Sequence, residues 1–367
     1  MRSEGIARSG IRIDEWRALS VVDRSARSGE IEKRKEKKQG DFVAFTNGKF
    51  SNALNSHQGL SNRISHSREF LLTVNSQTTQ ELGQEWNSVS IFTAGSLGRF
   101  ETGRKSDLDV FLLTDEEEPA FSKLREIRLL AKLIHVNTSL SLPEFSGDGR
   151  YLKVHSVARI VNGTGDSNDD SENFFTTRLL LLLESKSIWN EGLRGRAIEQ
   201  VLENYFKDGK GKKNFTPLFL LNDILRYWRT VCLNYERDRI APTSKWWKKN
   251  LNLKFSRKLT VYSTVLAILT RAASTKQQFS DLAELVPLER LAVSLDTLGD
   301  ESFLDRFAVF LDDYESFLAA KSYGEVEEPA QARKLAFKEK AERFGAFLDA
   351  VVMSPKMDAN LRRYLLI

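Results

Sequence analysis

Hydrophobic and polar positions change their period along this chain. Up to about residue 60 the sequence is polar and charged, with "EIEKRKEKKQG" within it, and it reads as a polar N-terminal arm over 1–60. From about Asn62 to Trp86, Ile64, Phe70, Leu71, Val74 and Leu82 recur at a spacing that predicts a helix. "SVSIFTAG" and "LDVFLLT" are short, continuous apolar runs that predict buried strands. A helix is expected from about Pro119, with an acidic start and basic later turns. "YLKVHSVARIV" predicts a third strand, and "NGTGDSNDDSEN" a polar loop after it.

Beyond Phe174 the helical period takes over. "FFTTRLLLLLES", "PLFLLNDILRYWRTVCLNY", "DLAELVPLERLAVSLDTL", "ESFLDRFAVFLDDYESFLAA" and "AQARKLAFKEKAERFGAFLDAVV" each predict a helix, and only 7 prolines interrupt the whole chain. The expected fold class is α+β: a small α/β domain over 61–175, then a mostly α-helical domain over 176–367, without internal repeats.

Composition narrows the setting. Hydrophobic residues make up 41% and charged residues 29%, the balance of a globular chain. No run approaches the ~18 apolar residues of a membrane span, and the first residues lack the apolar core of a signal peptide, so no membrane insertion is expected. The single cysteine, Cys232, lies between Val231 and Leu233, which excludes an internal disulfide and suits a reducing cytoplasm.

Charge is uneven. Between Tyr205 and Thr260 there are 14 Lys/Arg against 4 Asp/Glu, a local net of 14 − 4 = +10, while the whole chain carries +5. The remainder is therefore 5 − 10 = −5. A basic block beside an acidic remainder suits a polyanionic partner, and a solvated basic face is the plain alternative.

The chemistry concentrates in "FTAGSLGRFETGRKSDLDVFLLTD", residues 92–115. Asp107 and Asp109 at i and i+2 would share one face of a strand, ~6–7 Å apart. Two carboxylates that close call for a cation, and Mg²⁺ prefers carboxylates together with phosphate oxygens. Gly95 allows close approach of the backbone, and Ser96 offers a hydroxyl and an amide to phosphate. Arg99 is a candidate for neutralising phosphate charge. Ser106 precedes the aspartates and sets the turn that leads into them, while Arg104 and Lys105 read equally well as loop cations. No Walker-type phosphate loop occurs, and the four histidines lack zinc spacing.

"GSLGRFETGRKSDLDVFLL" resembles the signature of the DNA polymerase beta-type nucleotidyltransferase superfamily, in particular the bacterial branch with the glutamine-synthetase adenylyltransferases and PII uridylyltransferases. "HSVARIV" at 155–161 is also similar to a strand of the uridylyltransferases. A looser likeness extends to nucleotidyltransferases of bacterial anti-phage defence. The resemblance implies a polymerase-beta-like fold in a bacterial cytoplasm, an NTP or dNTP held at Gly95, Ser96, Arg99 and Ser106, and two Mg²⁺, replaceable by Mn²⁺, on Asp107 and Asp109. It implies transfer of a nucleoside monophosphate to an acceptor hydroxyl with release of pyrophosphate. Many members carry a third carboxylate on the next strand. This chain has none there, and His155, or Asp170 from the following loop, stands in the candidate position.

The acceptor is read from "LRYWRTVCLNYERDRIAPTSKWWKKNLNLKFSRKL", 225–259. Aromatic faces stack on bases while cations track phosphates. Arg226, Arg229, Trp246, Trp247, Lys248 and Lys249 are the candidate contacts to nucleic acid. Template-independent extension of an oligonucleotide, with a protein hydroxyl as one starting point, is the leading expectation. Nucleotidylation of a protein partner encoded nearby, and a catalytically inactive regulatory module, stay open.

Overall fold

The computed structural model describes residues 47–116, 121–145, 149, 152–212, 215–240, 246–326 and 330–365. The expected arm therefore lies outside the described residues over 1–46. Its last part does not behave as an arm: Lys49–Ser56 (α1) and Gln58–Glu81 (α2) are helices that bury Phe50, Leu54, Leu60 and Ile64. No residue at the start of α1 caps it. Asp296 does so from a distance, accepting from the Phe50 and Ser51 amides at 2.9 and 3.0 Å, which satisfies donors that a helix N-terminus leaves open.

Val89–Thr93 (β1) is followed by the single turn Gly95–Gly98 (α3), then Val110–Thr114 (β2), Lys123–Ser139 (α4) and Val154–Ser156 (β3). The side chain of Ser122 starts α4 by accepting from the Arg125 amide. After β3 come Val157–Asn162 (α5), Asn168–Ser171 (α6), Phe174–Glu184 (α7) and Lys186–Trp189 (β4). The sheet has the order β3-β2-β1-β4. β1 pairs antiparallel with β2, Val89 opposite Thr114 and Thr93 opposite Val110, and antiparallel with β4 on its other side. β2 and β3 run parallel. All five residues of β1 are buried, as expected for a central strand covered on both faces. Val89, Ile91, Val110, Leu112 and Ile188 share a core with Val74 of α2 and Leu129 and Leu133 of α4.

Two boundaries differ from expectation. The third strand stops at Ser156, and "VARIVN" turns into α5, which buries Val157 and Ile160. The fourth strand lies beyond 175, so the sheet is completed by residues that follow the first long apolar helix. Gly48–Ile367 cluster as one compact unit.

The rest is helical: Glu191–Phe206 (α8), Leu218–Ile240 (α9), Trp246–Asn252 (α10), Lys258–Leu269 (α11), Lys276–Ala283 (α12), Pro287–Leu298 (α13), Leu304–Ser322 (α14), Gln331–Val352 (α15) and Ala359–Arg362 (α16). The expected single helix over "DLAELVPLERL" is two, because Pro287 opens α13 at a position where its missing amide costs nothing. A π-helical turn, Leu253–Arg257, joins α10 to α11. α11 is buried almost all round. Phe255, Phe310, Tyr314, Phe317 and Phe344 stack into one aromatic core between the π turn, α14 and α15. Among the described residues no helix is long and apolar enough to cross a membrane. The fold is α+β with a helical majority around a small mixed sheet.

Candidate active site

The β1–β2 pairing brings the two halves of the motif together. Ala94 donates its amide to the Asp109 carbonyl at 3.0 Å, and the Thr93 hydroxyl donates to the same oxygen at 3.0 Å. Asp107 and Asp109 thus stand at the mouth of β2, just before its first paired residue, rather than inside the strand. Gly95 has φ +64, and a Cβ placed on it would lie 1.9 Å from Asp109 Oδ2. The carboxylate rests directly over the glycine backbone. Gly95→Ala is accordingly expected to lower unfolding free energy by about 1–3 kcal/mol, from left-handed strain and displaced Asp109; urea denaturation measures it, and an unchanged midpoint would show that Asp109 swings away freely.

Burial, and next the neighbouring Asp107, push the Asp109 carboxyl above its ordinary range, against Arg257 and Arg99. Two neighbouring acidic groups form a donor set that fits a divalent cation. Among the described residues no third His, Cys, Asp or Glu joins them in a metal-sized group.

Arg99, expected at phosphate, is paired with two acids. Its Nε donates to Glu101 at 3.0 Å and its Nη1 to Glu184 at 2.7 Å, with the side chain 4% exposed. Burial opposes its charge, but Glu101 and Glu184 outweigh it and hold Arg99 well above its usual value. The guanidinium is shared by two buried carboxylates. Glu184, at the end of α7, also accepts from the Gly95 amide at 3.2 Å and from Arg257 at 2.8 Å. Burial disfavours its charge, yet Arg99 and Arg257 pull its carboxyl down to about 2. Ser96 is buried in α3. Ser106 closes a turn: its hydroxyl accepts from the Gly103 amide at 2.9 Å.

In comparison with known proteins, no family profile and no curated sequence matches this chain.

His155 and Asp170 take separate places. His155 is buried in β3, edge-on to Phe174, and its Nδ1 has no partner among the described residues. Burial, then Lys153, push it down to about 4, against Glu172 and Glu126. Unfolded, the imidazole titrates near 6.5, so the unfolded chain holds more protons between pH 6.5 and 4. Stability is expected to fall as pH drops through that window, on the order of 3 kcal/mol from this group. His155→Leu should flatten that part of the pH–stability curve; an unaltered slope would place the ring in a solvated setting. Asp170 is exposed and pairs with Arg226 at 2.6 Å.

The basic aromatic block is divided by the fold. Arg226 also lies over Phe175, 4.1 Å from the ring centre. Lys249 pairs with Asp238 at 2.6 Å. Trp246 packs between Tyr235 and Trp247, with ring centres 5.7 and 6.3 Å away. Arg229 is exposed on α9. Lys248 lines a small crevice together with Lys105 and Ser106. Glu101, Glu184, Arg257 and Lys321 were not singled out by sequence. Glu184 alone left a signal, an acid closing an unbroken apolar helix.

Proposed function

We propose that this protein is a Mg²⁺-dependent nucleotidyltransferase with a polymerase-beta-like catalytic module, joining a nucleoside monophosphate from an NTP or dNTP to an acceptor hydroxyl and releasing pyrophosphate. The observation that carries this reading is the seating of Asp109 over Gly95, which puts an Asp-x-Asp pair against a Gly-Ser turn. Asp107 and Asp109 would hold the metal, which when bound supplies positive charge to the polyphosphate and lowers the pKa of an attacking hydroxyl. Ser96 follows Gly95 in the same turn, whose Gly95 amide is held by Glu184. Glu184 and Arg99 hold the turn still, so its donors need no reorganisation. Arg257, one-third exposed and acting on Asp109, takes the cationic place first assigned to Arg99.

The leading acceptor is a nucleic acid or oligonucleotide. Nucleotidylation of a protein is the second reading, favoured by the pairing of Arg226 and Lys249 with acids. Incubation with each labelled NTP and dNTP, with Mg²⁺ or Mn²⁺, separates them on a denaturing gel. A ladder supports extension. A single label on protein supports nucleotidylation. No incorporation with oligonucleotide or protein acceptors would overturn the enzyme reading in favour of an inactive module.

A further inference from the structure

The turn that carries Gly95 and Ser96 ends on a strained residue. Phe100 has φ +54, and among the described residues the other non-glycine residues with positive φ are Ser141, Asn173, Asn190 and Arg271. Phe100 is thus the one aromatic residue of that group. Bulky side chains avoid the left-handed region, because Cβ crowds the carbonyl that follows. Two hydrogen bonds depend on this backbone: the Phe100 amide donates to the Leu97 carbonyl at 3.1 Å, and the Glu101 amide to the Ser96 carbonyl at 2.8 Å. This is the closure that glycine usually provides just past the end of a helix. Glycine would form it without strain, so the benzyl group is held here for something glycine cannot do.

The ring is gripped by three other elements. It is 7% exposed and shares a small core with Ile64 of α2 and Val286, the residue before α13. The Arg68 guanidinium of α2 lies 5.3 Å from the ring centre, and Lys186 Nζ of β4 lies 5.7 Å from it. Both cations are themselves fixed: Arg68 pairs with Glu289 at 2.6 Å, and Lys186 donates to the Glu284 carbonyl at 2.6 Å. Cations against an aromatic ring add attraction to the apolar burial. The chain can leave the left-handed region at residue 100 only by breaking this packing.

The effect reaches Asp109 through a short series of contacts. With the chain turned back at Phe100, the Glu101 carboxylate accepts from Arg99 Nε at 3.0 Å. Arg99 donates to Glu184 at 2.7 Å, and Glu184 accepts from the Gly95 amide at 3.2 Å. Asp109 rests on that same glycine. We propose that Phe100 is a positioning residue: its anchored ring keeps the Gly95–Ser96 turn closed and, through Glu101, Arg99 and Glu184, holds the Gly95 backbone under Asp109. The consequence for turnover rests on the nucleotidyltransferase reading; the consequence for the turn does not.

The test is Phe100→Gly in the full chain, since glycine keeps the left-handed backbone and removes only the anchor. Hydrogen exchange reads the turn directly. The Gly95 and Glu101 amides should exchange about tenfold faster or more, beyond any change at the amides of β1. Phe347→Leu, in the packing of α15 against Phe303 and Phe310, controls for general loss of stability and should leave that ratio unchanged. In transfer assays Phe100→Gly should lower kcat about tenfold or more and move the nucleotide KM less than roughly threefold, while Phe347→Leu keeps wild-type kcat. An unchanged exchange ratio in Phe100→Gly makes the ring mere packing and overturns the proposal. So does wild-type kcat in that variant. If wild type itself transfers nothing, the nucleotidyltransferase reading has failed and exchange alone decides the role of Phe100. If Phe100→Gly does not fold, Ile64→Ala loosens the ring from the α2 side without altering the turn. Gly95 exchange roughly threefold faster relative to β1 is then expected, and an unchanged ratio overturns the proposal.

Discussion

Asp107→Asn and Asp109→Asn are each expected to lower nucleotide transfer by roughly three orders of magnitude or more, because each removes part of a metal site that supplies several kcal/mol of transition-state stabilisation. The two effects should not add, since either loss disables one unit. Folding should survive. Burial and Asp107 already disfavour the charge on Asp109, so its neutral amide should leave Tm unchanged or raised. A second readout does not depend on turnover: Mg²⁺ should raise the Tm of wild type and leave both variants unmoved. Wild-type transfer in either variant would remove the metal assignment. A large drop in Tm would make the aspartates structural.

Glu184→Ala is expected to be among the most destabilising single changes in the molecule, by about 3–5 kcal/mol, because it strands buried charge. Arg99, 4% exposed, would keep only Glu101, and Arg257 would lose its 2.8 Å partner. The Gly95 amide would lose its acceptor as well. The contrast is Glu116→Ala, which removes an ion pair to Arg125 whose members are 21% and 31% exposed; such a pair contributes about 0–1 kcal/mol. Urea denaturation of both variants gives the comparison. Glu184→Gln should lie between, since its amide still accepts one hydrogen bond. The folded carboxyl sits at about 2 against 4.5 unfolded, so this contribution is complete above pH 4.5 and is lost as pH falls toward 2. Equal, small effects from Glu184 and Glu116 would show that the buried network adjusts without cost.

The fate of Arg99 shows how far local pattern reaches. In sequence it follows Gly-Ser-x-Gly and reads as a phosphate ligand. In the fold, two acids from different elements claim it, and Arg257 approaches the aspartates from the π turn. Spacing along the chain says which residues are near in sequence. It does not say which carboxylate wins a buried cation when both choices are chemically sound. The third strand shows the same limit: it was expected to run through 161, but Val157 and Ile160 are buried on a short helix instead.

The sequence by itself determined the helical character of the second half, the two central strands and the turn that carries Gly95 and Ser96, because apolar period and glycine geometry are local properties. It also determined that Asp107 and Asp109 stand together, since two residues of extended chain allow little else. Only the tertiary structure decided that β4 completes the sheet from beyond 175, that Glu184 locks Arg99 beneath the Gly-Ser turn, and that Lys105, Lys248 and Lys321 share one crevice. Each of these joins residues about 70 or more positions apart. Their pairing is set by which buried charges can be satisfied together once the core has closed, and no short window of sequence contains that condition.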